Sequence, residues 1–201
     1  MKKKLCAAVL ALSLACPSFH AQNLVNETPE QKDKRMEWFH KAKLGIFIHW
    51  GIYAVKGVSE SWSFYNKYLP HDEYLKQCEG FTASKYDPKA WVELIKESGA
   101  QYTVLTTKHH DGVALWDTKQ NGISVVKNTP AKRDLVTPFV NEVRKAGLRL
   151  GLYYSLPDWS HPDYPNMTRT DVRYKDDPKR WDAFCKFNFG QLAELNNAYK
   201  P

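Results

Sequence analysis

The apolar positions of this chain gather in three short β-rich runs, each breaking into polar chemistry at its carboxyl end: Leu44-Gly45-Ile46-Phe47-Ile48-His49-Trp50-Gly51, Tyr102-Thr103-Val104-Leu105-Thr106-Thr107-Lys108-His109-His110-Asp111-Gly112 and Leu148-Arg149-Leu150-Gly151-Leu152-Tyr153-Tyr154-Ser155. Between and after them the apolar residues widen to helical spacing. Asp87-Pro88 supplies a cap and a first-turn proline for a helix with Trp91, Leu94 and Ile95 as its stripe, ended at Ser98-Gly99. Asp134 caps a second helix carrying Leu135, Phe139, Val140 and Val143, closed by Gly147, and Pro178 opens a third through Trp181, Phe184, Phe187, Leu192 and Leu195. The run from Leu44 to His49 has almost no polar interior, as a strand buried on both faces requires. Alternating strands and helices predict a parallel sheet, and polar residues at the strand carboxyl ends place a substrate pocket there, as in a parallel α/β barrel.

The segments outside this alternation add organisation. Lys2, Lys3 and Lys4 precede an apolar run from Leu5 to Ala15, which reads as a secretory signal over residues 1–21 rather than a membrane span. Cleavage after Ala21 suits an exported, periplasmic or extracellular product, and Ala15-Cys16 offers a lipoprotein alternative. The polar stretch from Asn23 to Phe39, with Met36, Trp38 and Phe39 at helical spacing, predicts a leading helix that caps a barrel floor. Gly51 to Pro88 and Leu156 to Asp177 are longer than ordinary strand–helix connections and read as rim loops that shape a binding site. Residues 22–201 are roughly 180 in number and hold three strands, whereas a complete (β/α)8 barrel needs eight strands and about 250 residues. The expected fold is therefore α/β: an incomplete TIM (β/α)8 barrel of three to four N-terminal βα units. A free-standing open sheet would leave apolar parallel edges exposed.

Composition narrows the partners. The chain has 29 basic and 22 acidic residues, and removing the three signal lysines leaves a net charge of about +4 spread along its length. No nucleic-acid partner follows from that. Cys78 and Cys185, the two cysteines beyond the signal, are far apart and read as free or buried thiols, with a disulfide as the alternative; no zinc-type spacing occurs. Aromatics make up 13 % of the chain, which suits a carbohydrate-handling protein, because sugar C–H faces stack on aromatic planes.

Four segments, Gly45-Ile46-Phe47-Ile48-His49-Trp50-Gly51, Glu60-Ser61-Trp62, Lys108-His109-His110-Asp111-Gly112 and Leu152-Tyr153-Tyr154-Ser155, resemble in order and spacing the retaining α-L-fucosidases of glycoside hydrolase family 29. The resemblance runs from about Trp38 to Pro201. It implies a barrel catalytic domain that hydrolyses terminal α-linked L-fucose from fucosylated glycans with no cofactor or metal. By that resemblance His49, Trp62, His109, His110 and Tyr153 occupy fucose-binding positions. Imidazoles and aromatics offer neutral donors and acceptors for hydroxyls and an apolar patch for the methyl group. Tyr153 and Tyr154 point to opposite faces, and the family pattern favours Tyr153. His109 and His110 separate in the same way unless the strand has ended before them.

Glu60, which Ser61 separates from Trp62 where the family often has Glu directly followed by Trp, is expected to contact substrate or organise the pocket. Trp159 either walls the pocket or anchors its loop. Asp111 reads as a turn residue, and Trp50 and Trp116 as packing. A retaining glycosidase needs two carboxyl groups about 5–5.5 Å apart. The resemblance puts the nucleophilic aspartate at the end of a fourth strand beyond Pro201, so the missing C-terminal half of the barrel is the expected partner and the chain alone is expected to be inactive. The alternatives are a non-catalytic fucose-binding module and a metal-dependent hydrolase using His49, His109 and His110.

Overall fold

A computed structural model describes residues 27–201. The signal segment expected at residues 1–21 lies outside the described residues. The described residues divide into two units, 27–41 and 42–201. Helix α1 (Pro29–Ala42) starts in the first at a reciprocal cap: the Thr28 amide donates to Gln31 Oε1 at 2.9 Å and the Gln31 amide to Thr28 Oγ1 at 3.3 Å. Arg35 reaches back to Glu27 with two bonds of 2.8 Å.

The second unit is an α/β layer structure on a three-stranded sheet: β1 (Gly45–Ile48), β2 (Tyr102–Lys108) and β3 (Arg149–Tyr154), all parallel in the order β1-β2-β3. Helix α5 (Pro88–Glu97) crosses from the first strand region to β2, and α7 (Val136–Lys145) from β2 to β3. Helix α8 (Pro178–Tyr199) follows β3. Asp87 and Asp134 cap where the sequence places them, accepting from the Ala90 amide and from the Val136 and Thr137 amides, and α8 is capped by Asp177, which accepts from the Arg180 amide. Gly99 and Gly147 end α5 and α7 at φ +82° and +73°, a conformation that favours glycine.

The two faces of the sheet differ. Ile46, Ile48, Leu105, Leu150 and Leu152 join the core with Val92, Ile95, Phe139 and Val143 of α5 and α7. The other face carries Gly45, Tyr102 and Arg149 in one register row, Phe47, Val104 and Gly151 in the next, and Thr106 and Tyr153 above them. Two glycines make room there. A Cβ on Gly45 would lie 2.0 Å from the Tyr102 ring, and one on Gly151 2.9 Å from Val104.

Three expectations are corrected. β1 is not buried on both faces: Phe47 is 50 % exposed, because the helices of this unit pack on the opposite side. Leu94 is exposed on α5, whose buried face is Val92 and Ile95 with Trp91 partly covered; the stripe lies one step round the helix from the one expected. Residues 51–88 are not an open rim loop. They fold into a 3-10 turn (Ile52–Ala54) and short helices α2 (Trp62–Tyr65), α3 (His71–Leu75) and α4 (Gln77–Gly80), with Ile52, Phe64, Tyr74 and Phe81 buried. A further turn of helix, α6 (Val125–Asn128), lies between β2 and α7. Cys78 and Cys185 are free thiols, and burial pushes Cys78 up to about 11. No described helix is long and apolar enough to cross a membrane.

Candidate functional site

Strand β1 ends at Ile48, which leaves His49 on the tip, on the same face as Phe47 two residues earlier. The Phe47 ring stacks on His49 at 5.3 Å between centroids and sits 5.5 Å from Tyr153. His49 lies 4.9 Å from His109 and 6.1 Å from Tyr153, and His109 lies 6.2 Å from Tyr153. Tyr154 points the other way, to Gln191 of α8 at 2.8 Å and to Asn188.

A bulge decides that His109 belongs to this group. Thr106 pairs with Tyr153 and Lys108 with Tyr154, so two residues of β2 stand against one of β3. Regular alternation from Thr106 would have sent His109 towards the helices. With the extra residue, Lys108 turns towards Tyr154 and His109 returns to the open face.

A second group adjoins the first through His110, whose ring is 4.6 Å from that of His109. Trp159 lies 4.5 Å from His110 and stacks on Tyr65 at 3.9 Å, while Trp62 stands edge-on to both His110 (5.9 Å) and Trp159 (5.0 Å). The Trp159 amide donates to the His110 carbonyl at 2.8 Å. Trp62 is 43 % exposed and presents a free edge, whereas Trp159, at 5 %, backs its neighbours from inside. Glu60 precedes this group at φ +32°, in the left-handed region that costs a non-glycine residue energy. Its charge reaches the Tyr53 hydroxyl, and its carboxylate has no hydrogen bond or ion pair among the described residues.

Burial holds His109 and His110 in the neutral form. Burial, then the neighbouring His110 and His49, pushes His109 down to about 3, and burial also lowers His110. These two rings are uncharged donors and acceptors beside aromatic surface, suited to a neutral polyol rather than an anion. Among the described residues no three His, Cys, Asp or Glu side chains are placed to hold a metal ion.

Sequence reasoning missed four parts of this region. Phe47 was legible from its two-residue offset to His49. Ser61 is fully buried, with its hydroxyl 2.5 Å from His109 Nδ1. Tyr53 is buried against His49 and His109, and its hydroxyl makes no well-formed hydrogen bond. Lys108 is completely buried and paired at 3.1 Å with Asp158, itself buried, while its ammonium also donates to Tyr154 at 2.9 Å. The other Asp158 oxygen accepts from the Ser160 and His161 amides, and Gly112, at φ +77°, is close enough that a Cβ would meet it at 2.5 Å. No local pattern announces a contact between residues 50 positions apart. Asp111 closes a turn onto the Val113 amide, as expected, but is also fully buried and accepts from the Tyr74 hydroxyl at 2.7 Å. Trp50 packs among Tyr86, Trp91 and Phe81, and buried Trp116 donates to Glu194.

Comparison with known proteins gives this geometry a context. The family model described as alpha-L-fucosidase matches residues 12–201. An alpha-L-fucosidase of Branchiostoma floridae is 35 % identical over 185 residues, covering 82 % of this chain and 39 % of the relative. Alpha-L-fucosidase isoenzyme 1 of Paenibacillus thiaminolyticus superposes with a TM-score of 0.76 at 38 % identity, over 84 % of this chain and 41 % of that one. A glycoside hydrolase family 29 alpha-L-fucosidase from Bacteroides thetaiotaomicron, captured as a covalent intermediate with 2-fluoro-fucosyl fluoride, superposes at 0.72 with 36 % identity, over 83 % of this chain and 39 % of that structure. The chain thus spans about two fifths of the length of these relatives. With residues of its four motifs meeting at the carboxyl end of the sheet and a family match across nearly its whole length, the chain belongs to the α-L-fucosidase family.

Proposed function

We propose that this chain is the N-terminal part of the barrel of an exported, retaining α-L-fucosidase, and that it supplies the fucose-binding wall: His49, His109, His110, Tyr153 and Trp62, backed by Trp159 and flanked by Glu60. The observation that carries this is the convergence of side chains from three strand tips and two loops into one cluster of imidazole and aromatic rings. Phe47 and Tyr153 offer apolar surface for the methyl group of a deoxy sugar, and the imidazoles bond its hydroxyls.

The chemistry itself needs a nucleophile and an acid/base. Asp111 and Asp158 are buried and fully engaged, whereas Glu60, adjoining Ser61 and Trp62 in sequence, has no such partners among the described residues. One carboxylate does not make a double displacement. The remaining catalytic groups belong to the barrel segments that the longer relatives carry and this chain does not span. A covalent intermediate in the Bacteroides thetaiotaomicron relative supports the retaining course.

The test uses the 201-residue chain and the extended gene product side by side. The chain is expected to bind fucose in calorimetric titration yet release no phenol from an aryl α-L-fucoside; the extended protein is expected to hydrolyse it with retained configuration. Turnover by the purified chain that disappears in Glu60→Gln would overturn the assignment of the missing groups. No fucose binding by a folded, monodisperse chain would overturn the site. Export is read from the three lysines and apolar run before Ala15, and the N-terminal sequence of the secreted product checks it.

A further inference from the structure

Ser61 interrupts the Glu60–Trp62 pair, and its side chain is buried against a histidine 48 residues away. Its Oγ lies 2.5 Å from His109 Nδ1 and has no other hydrogen-bond partner among the described residues. Two proton arrangements fit that distance. If Nδ1 carried the ring proton, it would donate to Oγ and leave the serine proton buried without an acceptor, which is the costly case. If the serine donates, its proton is satisfied and the ring proton sits on Nε2. We propose that Ser61 is a positioning residue that holds His109 in its Nε2–H form, so that this imidazole offers the ligand a hydrogen-bond donor.

His110 is held in the opposite form. Its Nδ1 lies 3.3 Å from the Pro157 carbonyl, which can only accept, so Nδ1 carries the proton and Nε2 presents a lone pair. Adjacent rings 4.6 Å apart therefore offer one donor and one acceptor. That is the pair a neutral sugar hydroxyl needs, since it both accepts and donates. The low proton affinity of buried His109 keeps it neutral at pH 7, where only the tautomer is at stake. The identity of the ligand rests on the fucose-site reading above; the tautomer does not.

Long-range ¹H–¹⁵N spectra of the labelled chain at pH 7 decide it, with His109 and His110 assigned from single His→Gln variants. The wild type should show a protonated Nε2 on His109 and a protonated Nδ1 on His110. Ser61→Ala should give mixed tautomers at His109, leave His110 unchanged and weaken fucose binding about tenfold, the loss of one ordinary hydrogen bond. Ser61→Thr, which keeps the hydroxyl, should restore both. A wild-type His109 protonated on Nδ1, or an unaltered His109 pattern in Ser61→Ala, would overturn the proposal. The wild-type spectrum alone identifies the His109 tautomer, even where a variant does not fold. Failure of the wild type to bind fucose would count against the proposed function, while the spectra would still decide the role of Ser61.

Discussion

His109 and Asp111, two positions apart, respond to burial with opposite consequences for stability. Burial pushes the Asp111 carboxyl up to about 6, against the pull of the Val113 amide and Tyr74 hydroxyl, while His109 falls to about 3. From an unfolded value of 3.8 up to about 6, the folded chain holds the Asp111 proton more tightly than the unfolded chain, so this group's stabilisation is lost as pH rises through that window. His109 runs the other way. The unfolded imidazole takes a proton near 6.5 that the folded one refuses until about 3, so stability is lost as pH falls below 6.5. Burial lowers His71, His110 and His161 too, which adds to the His109 side. Asp111→Asn removes the counterweight while keeping an acceptor for the Val113 amide. Urea unfolding between pH 4 and 6 should then lose about 1.4 kcal/mol more per pH unit on acidification than the wild type. An unchanged pH dependence would show that Asp111 titrates normally.

Among the elements, the end of β2 and the segment after β3 are joined by the Lys108–Asp158 pair, with Lys108 also over the Tyr154 ring at 4.3 Å. The residues next to each partner in sequence, His109 and Trp159, belong to the site, so the pair ties the loop to the strand tip. Removing one partner leaves a buried charge uncompensated. Lys108→Met should cost about 3–5 kcal/mol in urea unfolding, and Lys108→Met with Asp158→Asn should recover most of that loss. A double variant as unstable as the single would show that the charge pairing is not what matters. On the sheet face, Gly45→Ala puts a methyl 2.0 Å from the Tyr102 ring and should cost about 1–3 kcal/mol by overpacking. Thermal unfolding of that variant measures it.

Over the larger unit, apolar side chains remain uncovered on α8 and the segment after β3. Leu156 is 58 % exposed, Trp181 46 % and Phe189 70 %, and with Pro157, Phe184 and Leu192 they line a cleft of about 260 Å³. An exposed apolar patch of this kind drives association. The chain should show concentration-dependent self-association by sedimentation velocity, and Phe189→Lys should lower it without altering the far-UV circular dichroism spectrum. Equal association in the variant would place the contact elsewhere.

The expectation that His49, His109, His110, Trp62 and Tyr153 share a site came from the family resemblance of their motifs, whereas periodicity, caps and strand tips determined directly the three parallel strands and α5, α7 and α8, with Asp87 and Asp134 as caps. These are local or short-range facts, set by side-chain spacing, by backbone amides that need caps, and by turn chemistry within a few residues. Tertiary structure alone decided the rest. The bulge at Thr106–Lys108 sends His109 to the side of the sheet that simple alternation denies it, and it exists only because β2 pairs with β3. Phe47 is exposed because helices cover one face of the sheet. Ser61 reaches His109, and Lys108 reaches Asp158, across about 50 residues of chain. Such contacts are made when distant segments are pressed together and must satisfy each other's buried polar groups, a condition that no stretch of sequence states on its own.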